Sequence, residues 1–220
     1  MLKRLLGLLI VAALLPALAA YTRAFALFLA AVPVVTAAQV AFLVGTTLYL
    51  ACHTMVGKPT RAYVFGHELM HAMATWVSGG QVKAFKVSAK GGSVAGTKAN
   101  LLIALAPYLI PAYSVLAALI YVILGWFMET RRFALWFYGV LGATLAFHFA
   151  FTVEFVKTKQ PDLLQNGRLF SLAIIYWVNL ACVALAVALV TPPMRFTDYL
   201  VDGYIESVGW YTALVRQLFF

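Results

Sequence analysis

Ala62-Tyr63-Val64-Phe65-Gly66-His67-Glu68-Leu69-Met70-His71-Ala72-Met73-Ala74-Thr75-Trp76-Val77-Ser78-Gly79-Gly80-Gln81-Val82 is the stretch around which the chain is organised. It holds no Lys, Arg or Asp, and outside His67-Glu68-Leu69-Met70-His71 it is apolar or small except for Gln81 near its end. About 20 residues rising 1.5 Å each match the hydrocarbon core of a bilayer, so the stretch is long enough to cross one. In a helix, His67 and His71 lie one above the other on a single face. Two imidazoles so placed can share one tetrahedral zinc, with Glu68 beside them to act on water at the metal. Three such groups in hydrocarbon are costly, so they require partners or a task.

The surrounding composition points the same way. The 220 residues are 64% hydrophobic and 10% charged, whereas soluble domains carry about a quarter charged residues. Several charge-free runs reach spanning length, and no polar face is left to cover them in water. The expected fold is an all-α polytopic membrane protein with about six membrane-embedded helices. A short β-hairpin is expected as an insert after the H-E-x-x-H helix. The net charge of +9 lies mostly in connecting segments, which suits anionic headgroups rather than nucleic acid. An integral, multi-pass location is expected, in the cell (inner) membrane. Cys52 and Cys182 fall in apolar runs and read as small core residues.

Taken in order, residues 1–22 have a basic start at Lys3 and Arg4, an apolar core and a small-residue site at Ala17-Leu18-Ala19. They fit a signal peptide or a first membrane helix, and an uncleaved anchor is the preferred reading. Residues 24–57 are uncharged and broken by Pro33, which suggests a short piece to about Val35 and then a full helix over 36–56. Thr60 is expected to cap the motif helix, and Gly79-Gly80 to stop it. Residues 81–98 mix Val82, Ala84, Phe85, Val87 and Ala89 with Lys83, Lys86 and Lys90 around Gly91-Gly92, predicting two short strands. Pro107 and Pro111 predict a kink in the run over 99–128. Spans are expected over 133–153 and 169–190. Residues 1–193 then form one membrane-embedded domain, and 194–220 an interfacial amphipathic tail.

Orientation is internally opposed. Placing Lys3 and Arg4 inside puts Lys58 and Arg61 inside after two crossings, in accord with the positive-inside rule. The next loop then lies outside while carrying Lys83, Lys86, Lys90 and Lys98. A re-entrant segment or a cleaved first peptide removes the conflict.

A catalytic zinc needs a third protein ligand. The chain offers seven acids and four histidines in all. Asp162, at the entrance of the last span, is the preferred candidate, because a carboxylate favours a helix N-terminus. A plain helix-entry aspartate is the competing explanation. His53, His148, Glu154 and Asp202 remain alternatives, with His148 and Glu154 better suited to supporting the ligands or pairing at an interface.

These residues resemble the site-2 protease family of intramembrane zinc metalloproteases. The likeness rests on His67, Glu68 and His71 within a membrane span, a later aspartate near the start of another, and a glycine-rich segment echoing the family's helix-strand-helix core. It covers roughly residues 60 to 190. It implies zinc as cofactor, Glu68 as base, and hydrolysis of a peptide bond within or next to a transmembrane helix of a membrane protein substrate. The family's third ligand usually stands in Leu-Asp-Gly after an Asn-Pro element. Here Leu163 follows Asp162, and Asn100 and Pro107 belong to a different helix.

H-E-x-x-H also arises by chance, and two other functions can use these residues. A transporter or channel would employ His67, Glu68 and His71 as a metal or proton relay. A catalytically inactive scaffold would bind a membrane partner through its aromatic surface.

Overall fold

The computed structural model describes residues 2–33, 35–88 and 91–219. The helices are α1 Leu2–Ala30, α2 Ala37–Met55, α3 Thr60–Val77, α4 Leu101–Leu109, α5 Ala112–Leu124, α6 Ala134–Val156, α7 Pro161–Gln165, α8 Arg168–Val190 and α9 Phe196–Phe219. Strands β1 Val82–Ser88 and β2 Gly91–Gly96 lie between α3 and α4. The chain divides into two compact units, residues 1–36 with 166–220, and residues 37–165.

The first unit packs α1 against α8 and α9. Ala24 and Phe28 of α1 meet Ala184 of α8 and Tyr199 of α9 in its core. Tyr21 packs over Gly203, where any side chain would strike its ring. The expected break near residue 23 does not occur, and α1 runs on to Ala30. A single charge does not interrupt a helix, and Arg23 is matched by Glu206 on α9. Pro33, which biases the residue before it away from helical geometry, lies just beyond the helix end.

The second unit is built on a close crossing of α2 and α6. Cβ atoms on Gly45 and Gly142 would fall on the carbonyl oxygens of Gly139 and Phe42, so glycine is what lets the two backbones approach. At the end of this crossing Glu154 accepts from Lys58 at 2.5 Å and pairs with His53 Nε2 at 3.1 Å.

Helix α3 begins at Thr60, which is its first residue rather than its cap; the hydroxyl donates to the Lys58 carbonyl. It ends where Gly79, at φ +70°, turns the chain. There Gly79 and Gly80 donate their N–H groups to the Trp76 and Thr75 carbonyls, satisfying the last turn. The hairpin follows as an antiparallel pair, with Phe85 opposite Val94, Val87 opposite Gly92 and a bulge between Val82 and Ala84. Ala89 and Lys90, expected at its tip, lie outside the described residues. Helices α4 and α5 meet at a 72° bend, with Pro111 at the break.

Among the described residues, four stretches are long and apolar enough to span a membrane: Gly7–Ala30, Ala37–Met55, Thr130–Val156 and Arg168–Val190. The bent α4–α5 pair makes a fifth if it counts as one span. Cys52, expected in the core, is exposed on α2. Apolar helix faces are tolerated outward in lipid, which is itself apolar.

Candidate metal centre

Four residues apart on α3, His67 and His71 turn their rings to the same side. Their Nε2 atoms lie 3.2 Å apart. Asp162 Oδ2, carried by the short helix α7, approaches to 3.6 Å from His67 Nε2 and 3.4 Å from His71 Nε2. Among the described residues these three side chains form the group able to hold a metal ion.

The donor set fits a tetrahedral cation. Ligands about 2.0–2.1 Å from a tetrahedral zinc sit about 3.3 Å from one another, close to the observed edges of 3.2 to 3.6 Å. The outer ring nitrogens are occupied. His71 Nδ1 donates to the Ile103 carbonyl at 2.7 Å, and His67 Nδ1 meets the Tyr63 hydroxyl at 3.3 Å. The carbonyl contact fixes the His71 tautomer and leaves its Nε2 as a lone-pair donor, while the Tyr63 hydroxyl, able to donate or accept, orients the His67 ring. Two bare nitrogens and a carboxylate oxygen this close repel unless positive charge sits among them. A metal ion or a proton meets that need.

Asp162 is placed differently from the sequence expectation. It does not open the last span; it sits in α7, a helix of five residues. Gly167, at φ +91°, turns the chain before α8 begins at Arg168. Burial raises the Asp162 carboxyl, but hydrogen bonds and charge from His67 and His71 outweigh it and hold the group well below the usual carboxylate range. The Tyr108 hydroxyl also donates to Oδ2, at 3.3 Å.

Glu68 is buried, at 6% exposure, and stands outside the metal-holding group. Strand β2 lies across it: a Cβ on Gly92 would meet Glu68 Cγ at 2.5 Å. His67, Glu68, His71 and Asp162 all border one cavity of about 500 Å³. Residues Gly92 to Gly96 of β2 line it while no residue of β1 does, so the strand presents to the cavity the edge not paired with β1. Lys98 and Asn100 fasten the hairpin's exit to the end of α3, donating to the Ser78 carbonyl and hydroxyl.

The other candidates lie elsewhere. His148 is buried on α6 and borders a separate cavity of about 20 Å³ shared with His67, Thr144 and Tyr113. Glu154 and His53 pair with each other, His53 Nδ1 also reaching the Tyr49 hydroxyl at 2.8 Å. Asp202 is exposed on α9 in the first unit. Tyr63, Tyr108 and Gly92 also border the site without having stood among the expected site residues. Tyr63 had a signal, since it stands four residues before His67 on the same helix face. Tyr108 and Gly92 had none beyond a polar tip in an apolar run and a glycine in a glycine-rich turn.

Comparison with protein-family models, with curated proteins and with solved structures finds no match to this chain.

Proposed function

We propose that the protein is a membrane-embedded zinc metalloendopeptidase, similar to site-2 proteases, that cleaves a membrane protein substrate within or next to a transmembrane helix. The observation carrying this reading is the convergence of His67, His71 and Asp162 within 3.6 Å beside a buried Glu68 on one cavity wall. Polarity supports a membrane setting for α3. Its His67 and Glu68 are buried, whereas Phe65, Met73, Trp76 and Val77 are exposed, the reverse of a helix in water. On this reading α3 and the bent α4–α5 pair would join the four candidate spans as membrane-embedded elements, six in all.

His67, His71 and Asp162 would hold the metal. Zinc there would supply Lewis acidity toward a carbonyl oxygen and toward water. Glu68 takes the proton of the attacking water as the C–O bond forms. It then delivers that proton to the amide nitrogen as the C–N bond breaks, so that acid and amine leave in balance. The edge of β2 offers backbone N–H and C=O groups to an extended chain entering the cavity, which would hold a peptide bond in front of Glu68. A transmembrane helix must unwind locally to lie there, because a strand needs its backbone groups free.

The test uses the full chain, purified and reconstituted in lipid vesicles with a single-span substrate. Wild type is expected to carry about one zinc per chain and to cleave; His67→Ala and His71→Ala should lose both. Equal zinc in all three proteins would overturn the metal centre. Zinc-dependent ion flux without cleavage would instead establish the relay.

A further inference from the structure

We propose that Tyr108 is a positioning residue that aims the Asp162 carboxylate at the two imidazoles; the inference rests on the metal-centre reading above. Three observations carry it. The first is the arm on which Asp162 arrives. Helix α7 has five residues, far fewer than a helix needs to hold itself together in isolation. Its neighbours Lys157 to Lys159 are exposed, and Leu163 is its buried anchor at 1% exposure. An apolar anchor fixes where the segment sits without fixing where the carboxylate on the preceding residue, Asp162, points.

The second is the donor. Tyr108 is completely buried, and a buried phenol requires a hydrogen-bond partner. Its hydroxyl donates to Asp162 Oδ2 at 3.3 Å, and Oδ2 is the same oxygen that lies 3.4 and 3.6 Å from the imidazole nitrogens. An ionised carboxylate oxygen has two lone-pair sites. With one taken by the phenol, the other is directed toward the histidines.

The third is that the donor itself is held. The Tyr108 ring stands edge-on to His67, centroids 5.2 Å apart and planes at 85°. It belongs to α4, one residue after Pro107 and two before the bend to α5. The carbonyl that orients His71, that of Ile103, is in the same short helix. Helix α4 thus fixes His71 through its backbone, Asp162 through the phenol and His67 through ring contact. These contacts hold one ligand set together from a helix that contributes no ligand.

Partners of this kind are worth roughly 10- to 100-fold in metal affinity. Tyr108→Phe keeps the ring and its contact with His67 and removes only the donor. We expect the full-length variant in detergent to bind zinc roughly 10- to 100-fold more weakly in competition with a chelator. Its cobalt-substituted form should show an altered visible spectrum, reporting a reoriented carboxylate. Leu163→Ala, which loosens the same arm from its apolar side, should weaken zinc binding while leaving the phenol in place. Wild-type zinc affinity and an unchanged cobalt spectrum in Tyr108→Phe would overturn the assignment and leave Tyr108 a packing residue. Failure of wild type itself to bind zinc would overturn the metal-centre reading, and this inference with it.

Discussion

Gly92 of β2 lies so close over Glu68 that a Cβ added to it would stand 2.5 Å from Glu68 Cγ and 2.8 Å from Oε1. Separations under 3 Å are repulsive for carbon, so one partner must move. The same Cβ would also meet the Lys86 carbonyl of β1 at 2.8 Å, and backbone yields less readily than a side chain. Glu68 is therefore the group that shifts. Gly92→Ala is expected to leave zinc content unchanged and to lower kcat roughly 100-fold, the cost of misplacing a reacting group by about 1 Å. Steady-state cleavage measured beside metal analysis checks it; unchanged kcat would show that β2 does not set the position of Glu68.

Glu68→Gln preserves shape and removes basicity. Because Glu68 is not among the groups that could hold the metal, zinc stoichiometry and thermal stability should stay at wild-type values. Turnover should fall by roughly 100-fold or more, the usual contribution of a positioned general base. Retention of a near wild-type rate would remove Glu68 from the proton path.

The acid behaviour of the metal-free protein should report on Asp162. Burial raises its carboxyl, and the His67 and His71 interactions lower it further than burial raises it, so the folded value lies below the usual range. The unfolded chain therefore binds its proton first as pH falls, near about pH 4. The stabilising contribution is complete above that pH and is lost as pH drops toward the folded value. Asp162→Asn should flatten the acid limb of a stability-versus-pH curve below about pH 4 while leaving the neutral region parallel. Coincident acid limbs for the two proteins would show that Asp162 is not held by the imidazoles.

Local chemistry made much of this architecture legible. Gly79-Gly80 stopped α3, the alternation around Gly91-Gly92 marked the hairpin, and Pro111 marked the break, because glycine and proline act on backbone geometry within one or two residues. The facing of His67 and His71 followed from helical periodicity alone. What stayed hidden depended on contacts distant in sequence. Residues 1–22 and 24–57 read as separate segments, because the pairing of Arg23 with Glu206 that accompanies a continuous α1 is not visible in sequence. Asp162 looked like a helix entry because a left-handed Gly167 cannot be told from any other glycine. Tyr108 is one aromatic among many in an apolar chain, and the approach of α7 to α4 brings the Asp162 carboxylate to its hydroxyl.

The crossing of α2 and α6 supplies a last prediction, because it links packing to the site. Gly45 and Gly142 leave no room for a Cβ against the carbonyl groups of Gly139 and Phe42. Both obstacles are helical backbone, which cannot rotate away as a side chain can. An alanine at either position must push the helices apart. On α6, Phe151 stacks on Tyr63 with centroids 4.4 Å apart and planes at 10°, and Phe155 lies 4.5 Å from the same ring. Tyr63 in turn meets His67 Nδ1. Displacing α6 therefore moves the group that contacts His67, one of the proposed metal ligands. Gly45→Ala and Gly142→Ala should each destabilise the protein by about 1–3 kcal/mol, the usual cost of overpacking, and should weaken zinc binding as well. Gly209→Ala is the control: nothing lies within 4 Å of the added methyl, and alanine favours the helix by up to about 1 kcal/mol. Thermal unfolding in detergent and chelator competition on the three variants make the comparison. If Gly45→Ala and Gly142→Ala lower stability while zinc affinity stays at the wild-type level, the aromatic stack does not carry the displacement to His67.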